Sequence, residues 1–196
     1  MKLTDSFYQG TNVVKIARQL IGKVLFTNID GIVTGGMIVE TEAYSWKERG
    51  CHAYNSRKTP RNAIMFEKGG HAYVYLCYGM HYLFNIVTNG EAVPEAVLIR
   101  AIEPLQGIDE MMLRRGKLAN AFHLTSGPGK LTKALGIDRK LNGKYLTDDE
   151  VWVEDVGRKI QSTKIQASPR IGIDYAGDDA LLPWRFTLKE SSWLSK

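Results

Sequence analysis

The sequence predicts a mixed α/β (α+β) protein: a single compact domain, residues 1–196, around a curved, mostly antiparallel β-sheet with peripheral helices. Three observations carry this. Runs with the period-2 pattern of strands, or with strongly β-prone composition, clearly outnumber runs with the helical period. Two stretches, Asn28-Ile29-Asp30-Gly31 and Tyr78-Gly79-Met80, sit between β-prone runs as hairpin tips do, and hairpins make antiparallel pairs. A chain of 196 residues suits one domain and can bury roughly 70% of its unfolded surface without disulfide or metal staples.

Taken in order, the first element is a helix over residues 12–21. Val13, Ile16, Ala17, Leu20 and Ile21 fall at helical spacing, Asn12 suits the N-cap and Gly22 the residue just past the end. Lys23–Thr27 and Ile32–Thr34 read as a hairpin pair, and Gly35-Gly36 leads into the next strand. That strand, Met37-Ile38-Val39-Glu40-Thr41-Glu42-Ala43-Tyr44, organises the chain. Alternation puts Glu40, Glu42 and Tyr44 on one face and Met37, Val39, Thr41 and Ala43 on the other. Carboxylates on a core strand are costly unless something pairs with them or uses them. From the strand alone, solvated or Arg-paired glutamates and a functional acid both remain open.

Ser45–Lys68 reads as a long polar excursion over the surface. After it comes the densest aromatic stretch, Tyr73–Asn85, a hairpin with Tyr78 and Met80 near its tip. Those side chains either fold back beneath the hairpin or form a wedge that enters something such as a base stack. Asn85 in an apolar strand needs a partner if buried. Ala96–Ile102 is a further strand with Leu98, Arg100 and Ile102 on one face, and Arg100 asks for a carboxylate, Glu40 or Glu42 being the natural candidates. Ile108–Arg115 is a helix. Ser126-Gly127-Pro128-Gly129-Lys130-Leu131 opens another, ended by Leu135-Gly136; its start is either a simple cap or a phosphate cradle. Val151–Glu154, Arg170–Ile173 and Trp184–Leu188 finish the chain as short strands.

Composition excludes several classes. With 44% hydrophobic and 24% charged residues the chain is an ordinary globular protein. No apolar run approaches the roughly 20 residues of a membrane span. The N-terminus lacks an apolar signal core, so a cytoplasmic location is expected, on the nucleoid if the source is bacterial. Cys51 and Cys77 read as separate reduced thiols, and the four histidines show no metal-ligand spacing. A net charge of +5 and a pI near 9.1 permit a polyanionic partner. Basic residues come in small groups: Arg57-Lys58 with Arg61, Arg114-Arg115 with Lys117, Lys130 with Lys133, Arg139-Lys140 and Arg158-Lys159.

Together these features fit an enzyme that acts on a base swung out of a duplex. Such an enzyme needs a wedge, aromatic faces for the base, cations for the phosphates, and a carboxylate to activate water beside a cation-like sugar. A nucleic-acid binding module without chemistry, and a hydrolase of free nucleosides using Glu40 and Glu42, are the alternatives.

Glu40-Thr41-Glu42-Ala43-Tyr44, Thr59-Pro60-Arg61-Asn62, Tyr73-Val74-Tyr75 with Tyr78-Gly79-Met80, Ala96–Ala101, Glu103-Pro104, Ser126–Leu131 and Pro169-Arg170-Ile171-Gly172 occur in this order. The ordered set closely resembles the alkyladenine (3-methyladenine) DNA glycosylase family over about Phe7–Leu188. The resemblance implies that Glu42 activates the attacking water and Arg100 helps to hold it. It implies a base pocket of Tyr44, His52 and Tyr75, with Asn85 helping to decide which bases fit, and Tyr78 entering the gap in the duplex. Met80, Lys130 and Arg61 match positions near the DNA backbone or groove, while Glu40 keeps a structural role. The implied partner is double-stranded DNA containing damaged purines, and a monomer using no metal and no redox cofactor is expected. No lysine stands where a Schiff-base nucleophile belongs, which implies base removal without strand cleavage. Two departures are Glu48-Arg49-Gly50-Cys51 before His52 and His81 after the hairpin tip.

Overall fold

Strand β2 (Ile32–Ser45) is 14 residues long, and the sheet is arranged around it. The computed structural model describes residues 1–116 and 123–195, so Lys117 lies outside the described residues. Along one edge of β2, Gly35–Ser45 pair with β5 (Glu95–Gln106). Its other edge is shared. Ile32–Met37 pair with β1 (Val24–Ile29), and Glu40–Glu42 pair with β8 (Arg185–Leu188). Beyond β5 lie β4 (His81–Thr88) and β3 (Ala72–Cys77); beyond β1 lies β6 (Val151–Glu154), and β7 (Ile165–Ser168) pairs with β8. Every pairing in this eight-stranded sheet is antiparallel. The helices α1 (Asp5–Tyr8), α2 (Val13–Leu20), α3 (Ile108–Arg115) and α4 (Pro128–Leu135) are short. The expected α/β class and antiparallel sheet are both present.

Local chemistry explains the elements nearest β2. Asn12 Oδ1 accepts from the Lys15 N–H at 2.9 Å and caps α2, whose Val13, Ile16, Ala17 and Leu20 are buried in the main core. The Thr41 hydroxyl, on the face of β2 turned to that helix, donates to the Ala17 carbonyl at 2.9 Å. The β1–β2 turn is tighter than the sequence suggests. Only Asp30 and Gly31 are unpaired, and both have positive φ (53° and 81°), the backbone that a two-residue hairpin requires. Gly35 and Gly36 lie within β2 rather than before it. A side chain on Gly36 would sit 2.5 Å from the Glu103 carbonyl oxygen, so close backbone approach keeps it glycine.

Of three register shifts between β2 and β5, the two beside Glu40 reset the alternation. Glu40 pairs with Ala101 and Thr41 with Ile99, leaving Val39 and Arg100 as extra residues in their strands. Met37 and Val39 therefore pack with Ala101, Trp193 and Leu194, whereas Ala43 joins the main core with Ile38. The expected single face of Met37, Val39, Thr41 and Ala43 is thus split. Ile102 likewise turns into the core, away from Leu98 and Arg100, which face the cavity described below.

Ser45–Lys68 is a long loop, as expected, but a packed one. Its Cys51, Ala53 and Met65 form a second apolar cluster with Tyr73, Val87 and Ala96. Asn62, 1% exposed, ties the loop to itself through the His52 and Arg57 carbonyls at 2.8 and 2.9 Å. Arg170–Ile173 is not a strand. Its polar groups serve side chains instead of a ladder, and Gly172 with φ 77° breaks the extended run.

Candidate active site

Five strands contribute one row of side chains. Register pairs Tyr73 with Asn85, Asn85 with Leu98, Leu98 with Glu42, and Glu42 with Arg185. Directly paired residues project to the same face, so the two aromatic strands and the acidic strand present one surface. Tyr44 and Tyr75 stand two residues along from Glu42 and Tyr73 on that face. The sheet places the aromatic and acidic residues together by pairing alone.

Glu42 is fully buried and accepts three hydrogen bonds. The Tyr44 hydroxyl donates at 2.7 Å and Arg100 Nη1 at 3.2 Å, both to Oε2; the Ile171 backbone N–H donates at 2.8 Å to Oε1. Glu40, also fully buried, accepts from Arg100 Nε at 2.9 Å and Arg185 Nε at 2.7 Å. Two carboxylates and two guanidiniums thus balance in charge, which makes their burial tolerable. Burial works to raise the Glu40 pKa, but hydrogen bonds from Ser195 and the Arg100 and Arg185 partners hold it below the usual carboxylate range. Burial works to lower the Arg100 pKa, but Glu42 and Glu40 outweigh it, so the guanidinium stays charged. Burial, then the Glu42 charge, raises the Tyr44 hydroxyl well above its ordinary pKa, so it remains a donor.

A cavity of about 990 Å³ lies over this network. Tyr44, His52, Tyr75, Asn85, Leu98 and Arg100 line its inner end. His52 and Tyr75 meet edge to face with ring centres 4.7 Å apart, and His52 Nδ1 bonds the Tyr73 hydroxyl at 2.8 Å. Desolvation and the nearby Arg61 charge lower the His52 pKa to about 4, which leaves the imidazole neutral near pH 7. A guanidinium sits over each tyrosine ring: Arg170 over Tyr44 at 4.7 Å and Arg61 over Tyr75 at 4.8 Å. Asn85 is buried and donates from Nδ2 to the Tyr73 carbonyl at 3.1 Å, which fixes the amide's orientation.

At the outer end of the cavity stand the β3–β4 hairpin and the start of α4. Tyr78, with φ 49°, and Gly79, with φ 69°, make a left-handed tip that throws Tyr78 outward at 87% exposure and Met80 at 72%. The reading in which these side chains fold back beneath the hairpin is therefore wrong. Gly127 begins α4 with φ 134° and no side-chain cap, so the N–H groups of the first turn are not satisfied by a neighbouring side chain. His81 packs against Gly129, where any Cβ would come within 2.8 Å of the imidazole; this small residue lets hairpin and helix meet.

This geometry can be set beside known proteins. Residues 6–192 match the model of a family described as methylpurine-DNA glycosylase. The chain belongs to that family. Among curated relatives, it is 47% identical over 188 residues to a protein of Chlamydia abortus, covering 95% of this chain and 97% of that one. It is 44% identical to a protein of Bacillus cereus strain G9842, covering the whole of both, and 43% identical to one of Clostridium acetobutylicum, covering 100% of this chain and 98% of the relative. All three are named "Putative 3-methyladenine DNA glycosylase". As a glycosylase, the protein is a hydrolase of N-glycosidic bonds, and its site is to be read with DNA as substrate.

Of the residues the sequence nominated in this glycosylase, Tyr44, His52, Tyr75, Asn85 and Arg100 meet at one end of the cavity, and Arg61, Tyr78 and Lys130 line its remainder. Met80 is at the exposed tip but off the cavity wall, and the Glu42 carboxylate lies one layer behind it, screened by Tyr44, Arg100 and Ile171. Sequence reasoning missed the groups that hold these in place. Arg170 forms a bidentate pair with Glu48 at 2.7 Å and 2.7 Å and reaches the Ala43 carbonyl at 2.8 Å. The motif Pro169-Arg170-Ile171-Gly172 was the available signal, misread as a strand. Glu48, the first residue of the departing stretch Glu48-Arg49-Gly50-Cys51, is that arginine's partner. Among the described residues no group of three His, Cys, Asp or Glu could hold a metal ion, and no helix is long and apolar enough to cross a membrane.

Proposed function

We propose that this glycosylase swings an alkylated or deaminated purine out of duplex DNA into the slot of Tyr44, His52 and Tyr75, and hydrolyses its glycosidic bond with a water activated by Glu42. The substrates would be of the 3-methyladenine, 7-methylguanine, hypoxanthine and ethenoadenine class, which share a flat purine that stacks on tyrosine. One observation carries the reading: Tyr44, Arg100 and Ile171, the groups bound to Glu42, also face the cavity.

In the proposed step the water oxygen bonds to the sugar C1′ and the C1′–N bond breaks with its electrons going to the base. The water proton passes to Glu42, and the carboxylate stabilises positive charge on the sugar before that. To reach Glu42, the water takes the place of its longest contact, Arg100 Nη1 at 3.2 Å, and the guanidinium then holds the water. Tyr78 fills the space the base leaves. Asn85, with its amide fixed, tests the base edge. Arg61, the first turn of α4 with Lys130, and the tip residue Met80 contact the backbone or groove. The enzyme acts as a monomer, with no metal or redox cofactor, and leaves the abasic strand uncut. Lys130, which lines the cavity, belongs to α4 at its outer end and not to the slot.

The test is to incubate purified protein with duplexes carrying single defined lesions and look for alkali-labile abasic sites. Base release from lesion duplex alone supports the proposal. Tight binding without release would return the protein to a binding module. Activity on free nucleosides, indifferent to salt, would make it a nucleoside hydrolase.

A further inference from the structure

Ser195 sits 155 positions after Glu40 and holds it with two bonds. Its backbone N–H donates to Glu40 Oε2 at 2.7 Å and its hydroxyl to Oε1 at 2.7 Å. The same hydroxyl accepts from Arg100 Nη2 at 3.2 Å. All three nitrogens of Arg100 are thereby assigned: Nε to Glu40, Nη1 to Glu42 and Nη2 to Ser195. With Nε held by Glu40 and Nη2 by Ser195, the guanidinium keeps its plane when a water takes the place of the Nη1 contact. Trp193 and Leu194 pack against the cluster of Val24, Met37, Val39 and Ala101, which seats the segment on the sheet. The segment also stands between two concavities, since Ser195 lines the large cavity and Trp193 a neighbouring groove. Residues 193–195 fall outside the stretch that matches the family model, residues 6–192.

We infer that Trp193-Leu194-Ser195 is a positioning strap: Ser195 fixes the plane of Arg100 through Glu40 and so sets the geometry in which Arg100 and Glu42 hold the attacking water. The inference rests on the reading of Glu42 and Arg100 given above. Ser195 itself is a positioning residue, since it works through Glu40 and Arg100. The groups that face Glu40 are Arg100 from β5, Arg185 from β8 and Ser195, with Glu42 beside it on β2. Of these, only Ser195 gives Glu40 an uncharged donor pair. Removing it leaves Oε2 of a buried carboxylate without a partner and raises the pH at which Glu40 takes up a proton and releases Arg100.

The experiment uses full-length Ser195→Pro, which lacks both the N–H and the hydroxyl, and Ser195→Thr, which keeps both. Single-turnover release of hypoxanthine from a defined duplex is followed from pH 4 to 8, beside the affinity for the same duplex. Ser195→Pro is expected to slow release about tenfold or more with affinity changed less than about threefold, the split that marks lost transition-state geometry. Its acid limb is expected to move to higher pH, and Ser195→Thr is expected to restore both rate and limb. A wild-type rate and limb in Ser195→Pro, or an equal loss in Ser195→Thr, overturns the strap. A second arm needs no activity: the Arg100 Nε–H resonance of the free protein, identified by its absence in Arg100→Lys, is protected from solvent exchange. Loss of that protection in Ser195→Pro supports the strap and retention overturns it. If wild-type protein releases no base from any lesion duplex, the proposed function fails while this arm still decides the strap.

Discussion

Ile171 donates its backbone N–H to Glu42 Oε1 at 2.8 Å, from 129 residues further along the chain. With Tyr44 and Arg100 on Oε2, the carboxylate is aimed by donors alone. Glu42→Gln keeps the shape but turns an amide NH₂ toward at least one of those donors. The variant is expected to bind lesion duplex within a few-fold of wild type and to lose about 10²–10⁴-fold in single-turnover base release, the usual worth of a positioned base. Release at the wild-type rate would remove Glu42 from the mechanism.

The hairpin tip gives a prediction about duplex structure. Tyr78 is 87% exposed and touches no core, so Tyr78→Ser should leave folding stability unchanged. Base–aromatic stacking is worth about 1–3 kcal/mol, so affinity for lesion duplex should fall about 5–150-fold. Single-stranded lesion DNA, which has no gap to fill, should lose much less. Equal losses on the two substrates in a titration would argue against a wedge.

Lys130 tests the start of α4. If it holds a phosphate there, Lys130→Gln weakens binding to lesion and undamaged duplex alike. It also makes the slope of log affinity against log salt shallower by about one. An unchanged slope would leave Lys130 as part of a helix cap. The same titration applies to Arg61→Gln. That variant also uncovers the Tyr75 ring, so it is expected to alter lesion discrimination as well.

Arg170 predicts a stability effect. It is 6% exposed, paired with Glu48 at 2% exposure, and stacked on Tyr44 and Trp184. Arg170→Met strands the Glu48 charge and is expected to cost about 3–5 kcal/mol in denaturant unfolding. Adding Glu48→Gln should recover part of that loss, because the orphaned charge is gone. A double variant no more stable than the single one would show that the orphaned Glu48 charge is not what costs the stability.

How far the sequence disclosed this arrangement follows from physics. Period-2 alternation correctly put Glu40, Glu42 and Tyr44 on one face and supplied Arg100 as their counter-charge, because strand geometry and charge pairing are local rules. Alternation failed for Met37, Val39 and Ile102, since a bulge is set by the partner strand and leaves no mark of its own in composition. Asp30-Gly31 and Tyr78-Gly79 were readable as turns through their backbone demands. The roles of Glu48, Ile171, Arg185 and Ser195 were not, because each meets its partner across more than 120 residues and through contacts that no periodicity encodes.

His52 predicts the response to acid. Desolvation in the aromatic slot, then Arg61, lowers its pKa from 6.5 to about 4 in the folded protein. Between those values the unfolded chain binds a proton that the folded protein does not, so stability falls as pH drops from 6.5 through about 4 and is unaffected by this group above 6.5. Glu40, held low by its donors, adds a loss of the same sign at the lower end of the range. His52→Gln removes the first contribution and leaves the second. Urea midpoints measured from pH 7.5 to 4.5 should therefore decline less steeply in His52→Gln than in wild type, with the two lines separating below pH 6.5. Parallel lines would mean that the imidazole titrates alike in the folded and unfolded chain. The slot would then lack the dry, cation-flanked character that keeps His52 neutral.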